Sequence, residues 1–227
     1  FDRRFTEAFE RAHAAWRATA ALPGAPGPSR ADAGPPTRSI PANSAILLAA
    51  QVAIKLLGLA LIVLIARSFP VEGYGRFFYA FTFAALFAPL VEFGMDYHVT
   101  RMVAREPGRA GEYLGGSLAL KTVLALVVAP VALATAAALR QPPAMLALIA
   151  LALLAGWITA LAGSYTAVFR AGRRMDLEAR VLVAGRAGGL ALSAAAIAAG
   201  RGLAAVAAAQ GAGALVMLGL AARSAAR

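Results

Sequence analysis

The chain has 227 residues, of which 60% are hydrophobic, and its mean hydropathy is +0.70. A soluble domain of this length needs more polar surface, so the composition points to a polytopic membrane protein. Cysteine is absent, which excludes disulfides and thiolate metal sites, and the two histidines, His13 and His98, leave little for a histidine metal cluster. The formal net charge of +11 is spread between apolar runs instead of being gathered on one domain, which argues against nucleic acid as a partner.

The chain begins with Phe1 instead of Met, so a preceding segment is expected. Residues 1–21 read as an amphipathic N-terminal segment. Phe1, Phe5, Phe9, Ala12 and Trp16 share one face at helical spacing, and Arg3, Arg4, Arg11 and Arg17 lie off it. That pattern suits a helix lying among lipid headgroups, or equally a weakly ordered tail. Residues 22–43 are a linker, with six prolines and three glycines that cannot support a packed element.

Asn43 and Ser44 are plausible N-caps for the first of six hydrophobic segments, at 44–66, 77–99, 114–138, 144–169, 181–199 and 203–222. Each has roughly the 20 residues needed to cross ~30 Å of hydrocarbon. The last two are alanine-rich and are expected to insert as a hairpin across the turn at Gly200–Gly202. The expected fold is all-α, a polytopic bundle of about six transmembrane helices spanning 44–222, with residues 223–227 as a cytoplasmic end.

Orientation follows from basic residues. With the N-terminus inside, the inner connections carry Arg101, Arg105 and Arg109, then Arg170, Arg173, Arg174 and Arg180, and Arg223 follows the last span. The outer connections carry Arg67, Arg76, Arg140 and Arg201. The bias places both termini in the cytoplasm.

Three basic residues remain inside spans: Lys55, Lys121 and Arg186. A lysine at a span centre costs about 2.5–3.5 kcal/mol. Thirteen Leu, Ile and Val residues in 44–66 each return roughly 0.3–0.6 kcal/mol, so insertion still wins but Lys55 should not face lipid. Ser44, Gln51, Lys55 and Gly58 share one stripe. Similar stripes recur: Thr82, Pro89, Glu92 and Asp96; Ser117 and Lys121; Gly156, Thr159, Gly163, Thr166 and Arg170; Arg186, Gly189 and Ser193. For the small residues the favoured reading is close helix packing, with Gly185 and Gly189 at GxxxG spacing. For the three cations it is a shared hydrated cavity, with Gln51 beside Lys55. Such a basic cavity suits an anionic ligand such as phosphate or pyrophosphate. Glu92 and Asp96 are expected either to pair with Arg101 or Arg105 as an interfacial cluster that sets helix depth, or to take part in ion coupling.

The stretch "ARSFPVEGYGRFFYAFTF" (66–83) resembles the first external loop of polysaccharide flippases, Wzx-like members of the multidrug/oligosaccharidyl-lipid/polysaccharide exporter superfamily. The likeness lies in Ala66-Arg67, then Tyr74-Gly75 leading into an aromatic-rich helix. "VEFGMDYHVTRMVAR" (91–105) is similar to that family's end of the second helix, and "NSAILLAAQVAIKLLGLALIVLIAR" (43–67) to its first. The resemblance covers roughly 42–222. It implies one six-helix lobe, here the N-terminal one, of a two-lobe transporter working by alternating access. The missing lobe would come from a longer chain or from a second copy. It further implies a lipid-linked anionic glycan, carried on polyprenyl pyrophosphate, as the ligand, and the bacterial inner membrane as the location. Lys55, Lys121 and Arg186 become candidates for holding the pyrophosphate or acidic sugars, and Asp96 or Glu92 for carrying protons.

No Walker loop is present, and "GAGALVMLG" (211–219) lacks the third glycine of a dinucleotide fingerprint, so no cofactor is expected. Three classes of alternative stand beside the flippase: another exporter, an enzyme and a scaffold. A drug exporter would prefer acidic cavity residues, and an exporter of the peptidoglycan lipid precursor would carry a different arginine-glycine pattern. A membrane-embedded enzyme would need a carboxylate pair on a sizeable loop, and only Asp176 and Glu178 offer one, more simply read as a solvated helix start. A non-catalytic scaffold subunit is the third. Catalysis is not expected.

Overall fold

The computed structural model describes residues 40–225, with side chains from residue 45 onward. The expected N-terminal amphipathic segment and the linker as far as residue 39 lie outside the described residues. Among those described the fold is an all-α bundle: α1 Ile40–Ser68, α2 Val71–Glu92, α3 Met95–Arg105, α4 Ala110–Ala138, α5 Pro143–Ala171, α6 Met175–Ala198 and α7 Leu203–Ala225. A 3₁₀ turn at Pro107–Arg109 joins α3 to α4. Among the described residues six stretches are long and apolar enough to cross a membrane, with α2 and α3 counted as one.

Several helices start earlier than the sequence reading placed them (α2 at Val71, α4 at Ala110, α6 at Met175), and two differences matter most. Helix α1 starts at Ile40, ahead of the expected caps Asn43 and Ser44, so the linker does not extend to residue 43. Pro41 is compatible with this, because a proline in the first turn gives up an N–H that has no intrahelical partner. The second span is broken. Phe93 (φ 41°) and Gly94 (φ 71°) both adopt the left-handed conformation, closing α2 through Phe93 N–H to the Pro89 carbonyl and starting α3 on a new axis. Gly94 takes that conformation at no steric cost, whereas Phe93 takes it at about 1–2 kcal/mol. Helices α4, α5 and α6 end on similar left-handed turns at Arg140, Arg173 and Gly200. In each the following N–H reaches back to the last turn: Gln141 to Ala136, Arg174 to Phe169 and Arg201 to Ala196.

Helix α5 is the hub and packs on α2, α3, α4, α6 and α7, while α1 packs chiefly on α6. The sequence of α5 allows this. Its buried positions are mostly small (Ala152, Ala155, Ala160, Ala162, Ser164, Ala167), so neighbouring backbones come close. At one end of the bundle Ile65, Phe77, Phe83, Leu148, Ile149 and Val206 interlock around Ala80, Ala132, Ala136 and Ala207. At the other, Phe169, Val181 and Met217 pack with Ala162 and Ala221. Large apolar side chains such as Leu48, Val52, Leu56, Leu86 and Leu126 remain on the outside. That suits a bundle solvated by lipid tails, where packing and hydrogen bonds, not burial from water, hold helices together.

The α6–α7 hairpin bears out the small-residue reading. A Cβ added at Gly213 would stand 2.6 Å from Gly189 Cα, and one at Gly185 would stand 2.6 Å from Met217 Cβ. The hairpin is pinned by Gln210 Nε2, which donates to Ser193 Oγ (2.8 Å) and to the Gly189 carbonyl (3.2 Å).

Candidate functional site

A cleft of about 270 Å³ opens where α2 lies beside α5, with α6 and α7 contributing from the far side. Its apolar wall includes Phe81, Phe87 and Val91, and its polar residues are Glu92, Thr159, Arg186 and Gln210, with Trp157 between the two sets. Each polar residue has a local reason for its place. Gln210 is oriented by the two hydrogen bonds that pin the hairpin. Thr159 Oγ1 donates back to the Ala155 carbonyl (2.8 Å), so its methyl and hydroxyl oxygen are what it offers outward. Arg186 lies at the middle of α6, on a helix face beside the Gly185 and Gly189 contact, and its side chain is exposed. Among the described residues neither Arg186 nor Glu92 has an oppositely charged side chain within 4.0 Å. The Trp157 indole N–H is buried and has no acceptor among the described residues. The cleft therefore offers one free guanidinium, one free carboxylate, an oriented amide and aromatic surface.

Lys121 does not join this cleft. It is 0% exposed, and its ammonium is bonded to Asp96 Oδ1 (2.5 Å) and to the Ala160 carbonyl (2.7 Å). The expectation that Lys121 lines a hydrated cavity with Lys55 and Arg186 is thereby corrected. The expected pairing of Asp96 with Arg101 or Arg105 is corrected too. Five residues on is about 140° around a helix, and nine is about 180°. With Asp96 turned inward, Arg101 and Arg105 must therefore point out, and both are exposed. Glu92 is cut off from them by the Phe93–Gly94 break. The inward turn of Asp96 depends on Gly163, where an added Cβ would stand 2.7 Å from Asp96 Oδ2. One turn from Lys121, Ser117 Oγ and Ser164 Oγ are 2.9 Å apart and fully buried, and the Thr100 hydroxyl shares its proton between the Asp96 carbonyl (2.8 Å) and the Ala167 carbonyl of α5 (3.2 Å). The stripes on α3, α4 and α5 thus converge into a polar knot that ties three helices together.

Lys55 and Gln51 are exposed on α1 and lie outside the cleft lining. They flank the packed face marked by Ala50, Ile54, Leu57, Leu61 and Ile65.

Sequence reasoning missed a second buried charge. Glu178 is buried and approaches Arg170 (Nε to Oε1, 2.9 Å), linking α5 to α6, while its Oε2 has no partner. The reading of Glu178 as part of a solvated helix start is corrected. The signal was available: Glu178, Val181, Gly185 and Gly189 follow one another at steps of three and four, so the packed face of α6 extends one turn further than the apolar segment. Trp157 and Gln210 were also missed, because a single tryptophan or glutamine in a span carries no spacing signal. At the α3–α4 turn, Arg109 bridges Glu106 and Glu112 in the open. The Tyr113 hydroxyl, with Arg109, holds the Glu106 carboxyl below the usual carboxylate range.

Comparison with curated proteins and with solved structures gave no match. Comparison with protein families matched residues 40–225, about four fifths of the chain and all of the described bundle, to the family described as polysaccharide biosynthesis protein. The chain belongs to the polysaccharide biosynthesis protein family.

Proposed function

We propose that the protein is a Wzx-like flippase, which moves polyprenyl-pyrophosphate-linked oligosaccharide across the bacterial inner membrane for surface polysaccharide assembly. The observation that carries this reading is Arg186, a free guanidinium at the middle of a membrane-spanning helix, opening into a cleft beside aromatic and amide groups. A charge at that depth is expensive and is normally kept for a ligand or a pathway. An arginine fork suits a phosphate oxygen pair, and aromatic faces with an amide suit sugar rings. Family membership supplies the polysaccharide context.

The work is transport, without a covalent step. In this reading the six-helix bundle is the N-terminal lobe, both its ends face the cytoplasm, and the cleft is closed by a second six-helix unit, from the same chain or a second copy, that rocks against it. Lys55 and Gln51 on the exposed flank of α1 form a further part of the cavity wall once that unit is in place. Lys121 is left out of the substrate path because it is fully buried and its ammonium is held by Asp96 and the Ala160 carbonyl. Glu92 in the same cleft favours one competing reading, a drug exporter for cations, since a free carboxylate attracts what Arg186 repels.

Surface polysaccharide export in cells carrying Arg186→Ala, Lys55→Ala or Glu92→Gln tests the reading. Loss of one charge-assisted contact of about 1.5–3 kcal/mol lowers affinity for the pyrophosphate about 10- to 100-fold. Export should therefore fall in Arg186→Ala and Lys55→Ala while the protein still accumulates in the membrane. Unchanged export in both would remove the proposal. Loss of drug resistance in Glu92→Gln, with export untouched, would replace it by the drug exporter.

A further inference from the structure

The polar groups that line the charged cleft are mostly acceptors. Both N–H groups of the Gln210 amide are taken, by Ser193 Oγ and the Gly189 carbonyl, so its Oε1 is the free atom. Thr159 gives its hydroxyl proton to the Ala155 carbonyl and keeps only lone pairs. Pro89 lies inside α2 and has no N–H, which removes the helical donor for the Ala85 carbonyl, and Ala85 is in the cleft lining. Glu92 adds a carboxylate. Against these acceptors the cleft sets one charged donor, the Arg186 guanidinium.

Glu92 and Arg186 share the cleft without pairing, and among the described residues neither has an opposite charge within 4.0 Å. Both lie deep. Arg186 is at the middle of α6, and Glu92, though the last residue of α2, shares the cleft with Trp157 at the centre of α5. A charge at such depth calls for a partner. A phosphate group carries only acceptors, so it satisfies Arg186 and repels Glu92. A neutral sugar offers hydroxyl protons to Gln210 and Thr159 but leaves Glu92 uncompensated. The ligand that completes the cleft brings an anion for Arg186 and, beside it, a cation rich in N–H donors for Glu92. A protonated sugar amine is such a cation. It carries three donors, on a ring whose apolar face suits Phe81 and Phe87.

We propose that the cleft selects a zwitterionic glycan, one with a free protonated amine on the sugar next to its anionic group, and that Glu92 is the residue that reads the amine. An N-acetylated sugar in the same place brings an amide N–H but no charge, and binds more weakly. This rests on the flippase reading and narrows the glycan it carries. It also gives Glu92 a place in that reading without calling for a cationic drug.

The test is binding of small probes to the protein in lipid nanodiscs, at a pH where a sugar amine is protonated. The chain has two tryptophans, so Trp16→Phe leaves Trp157 as its one tryptophan, and Trp157 fluorescence reports on the cleft. Glucosamine 1-phosphate should bind about tenfold or more tightly than N-acetylglucosamine 1-phosphate, the difference expected for one charge-assisted contact. Glu92→Gln should abolish that preference and leave N-acetylglucosamine 1-phosphate bound as before, which also shows the cleft to be intact. Arg186→Ala should weaken both sugar phosphates alike. Equal binding of the two sugar phosphates, or a preference that survives Glu92→Gln, would overturn the inference and leave the flippase standing. Phosphoethanolamine carries the same two charges without a ring, and if it bound as tightly as glucosamine 1-phosphate the cleft would belong to a lipid headgroup and not to a sugar. Binding of tetraphenylphosphonium that is lost in Glu92→Gln, with neither sugar phosphate bound, would overturn the flippase reading and this inference with it. No response to any probe would overturn this inference alone, because the flippase reading is tested separately by export in cells.

Discussion

Replacing Lys121 by methionine removes the positive half of the knot between α3, α4 and α5 and keeps most of the side-chain volume. At the observed 2.5 Å separation the gross attraction to Asp96 is about 7 kcal/mol for an effective dielectric of 20. The net effect is smaller, because both charges give up hydration on burial. Breaking a buried pair typically costs 3–5 kcal/mol, mostly from the charge left behind. Asp96 keeps 26% of its side chain exposed, which places this case at the lower end, at about 3 kcal/mol. For a bundle of this size that corresponds to a drop of roughly 6–12 °C in apparent Tm. The measurement is the loss of the monodisperse peak of detergent-solubilised protein after heating. The double variant Lys121→Met/Asp96→Asn removes both charges together and should recover at least half of the loss, because no charge is then stranded. The opposite pattern would refute the reasoning: a Lys121→Met protein as stable as the parent but unable to export would mean that the lysine serves the ligand and not the helices.

Two further outcomes follow from the packing. Gly213→Ala puts a methyl group 2.6 Å from Gly189 Cα and 2.7 Å from Gly189 N, backbone atoms that cannot swing aside, so α6 and α7 must separate. The same thermal assay should show a loss of about 2–3 kcal/mol, whereas Gly219→Ala, with nothing within 4 Å, should gain about 0.5–1 kcal/mol from helix propensity. Because the chain contains no cysteine, single-cysteine variants can be labelled cleanly. Arg186→Cys should react with a water-borne maleimide in intact membranes, and Ser117→Cys should react only after denaturation; equal reactivity of the two would contradict the division between open cleft and sealed knot.

The number and approximate place of the spans were legible because lipid is a uniform solvent: a run of about 20 apolar residues has one stable answer, whatever its neighbours do, while the exact ends were not. The GxxxG contact was legible for a related reason, since Gly185 and Gly189 leave a gap that only close backbone approach fills. What a charge does once it is inside the bundle is a different kind of question, because it turns on distance between spans. Lys121 and Arg186 look alike in sequence, each at a span centre with small residues a turn away. Lys121 finds a carboxylate because two left-handed residues break the second span just before Asp96 and because Gly163, on another helix, leaves room for it. Arg186 finds none among the described residues, because the acidic residue that shares its cleft, Glu92, stands further than 4.0 Å away. One cation is therefore part of the frame, and the other stays exposed and, among the described residues, unpaired. A sequence can say that buried charge must be compensated, but not whether the chain itself supplies the compensation. In this bundle that difference rests on a missing methyl group at Gly163 and a kink at Phe93–Gly94. Neither is a feature of the charged residues themselves.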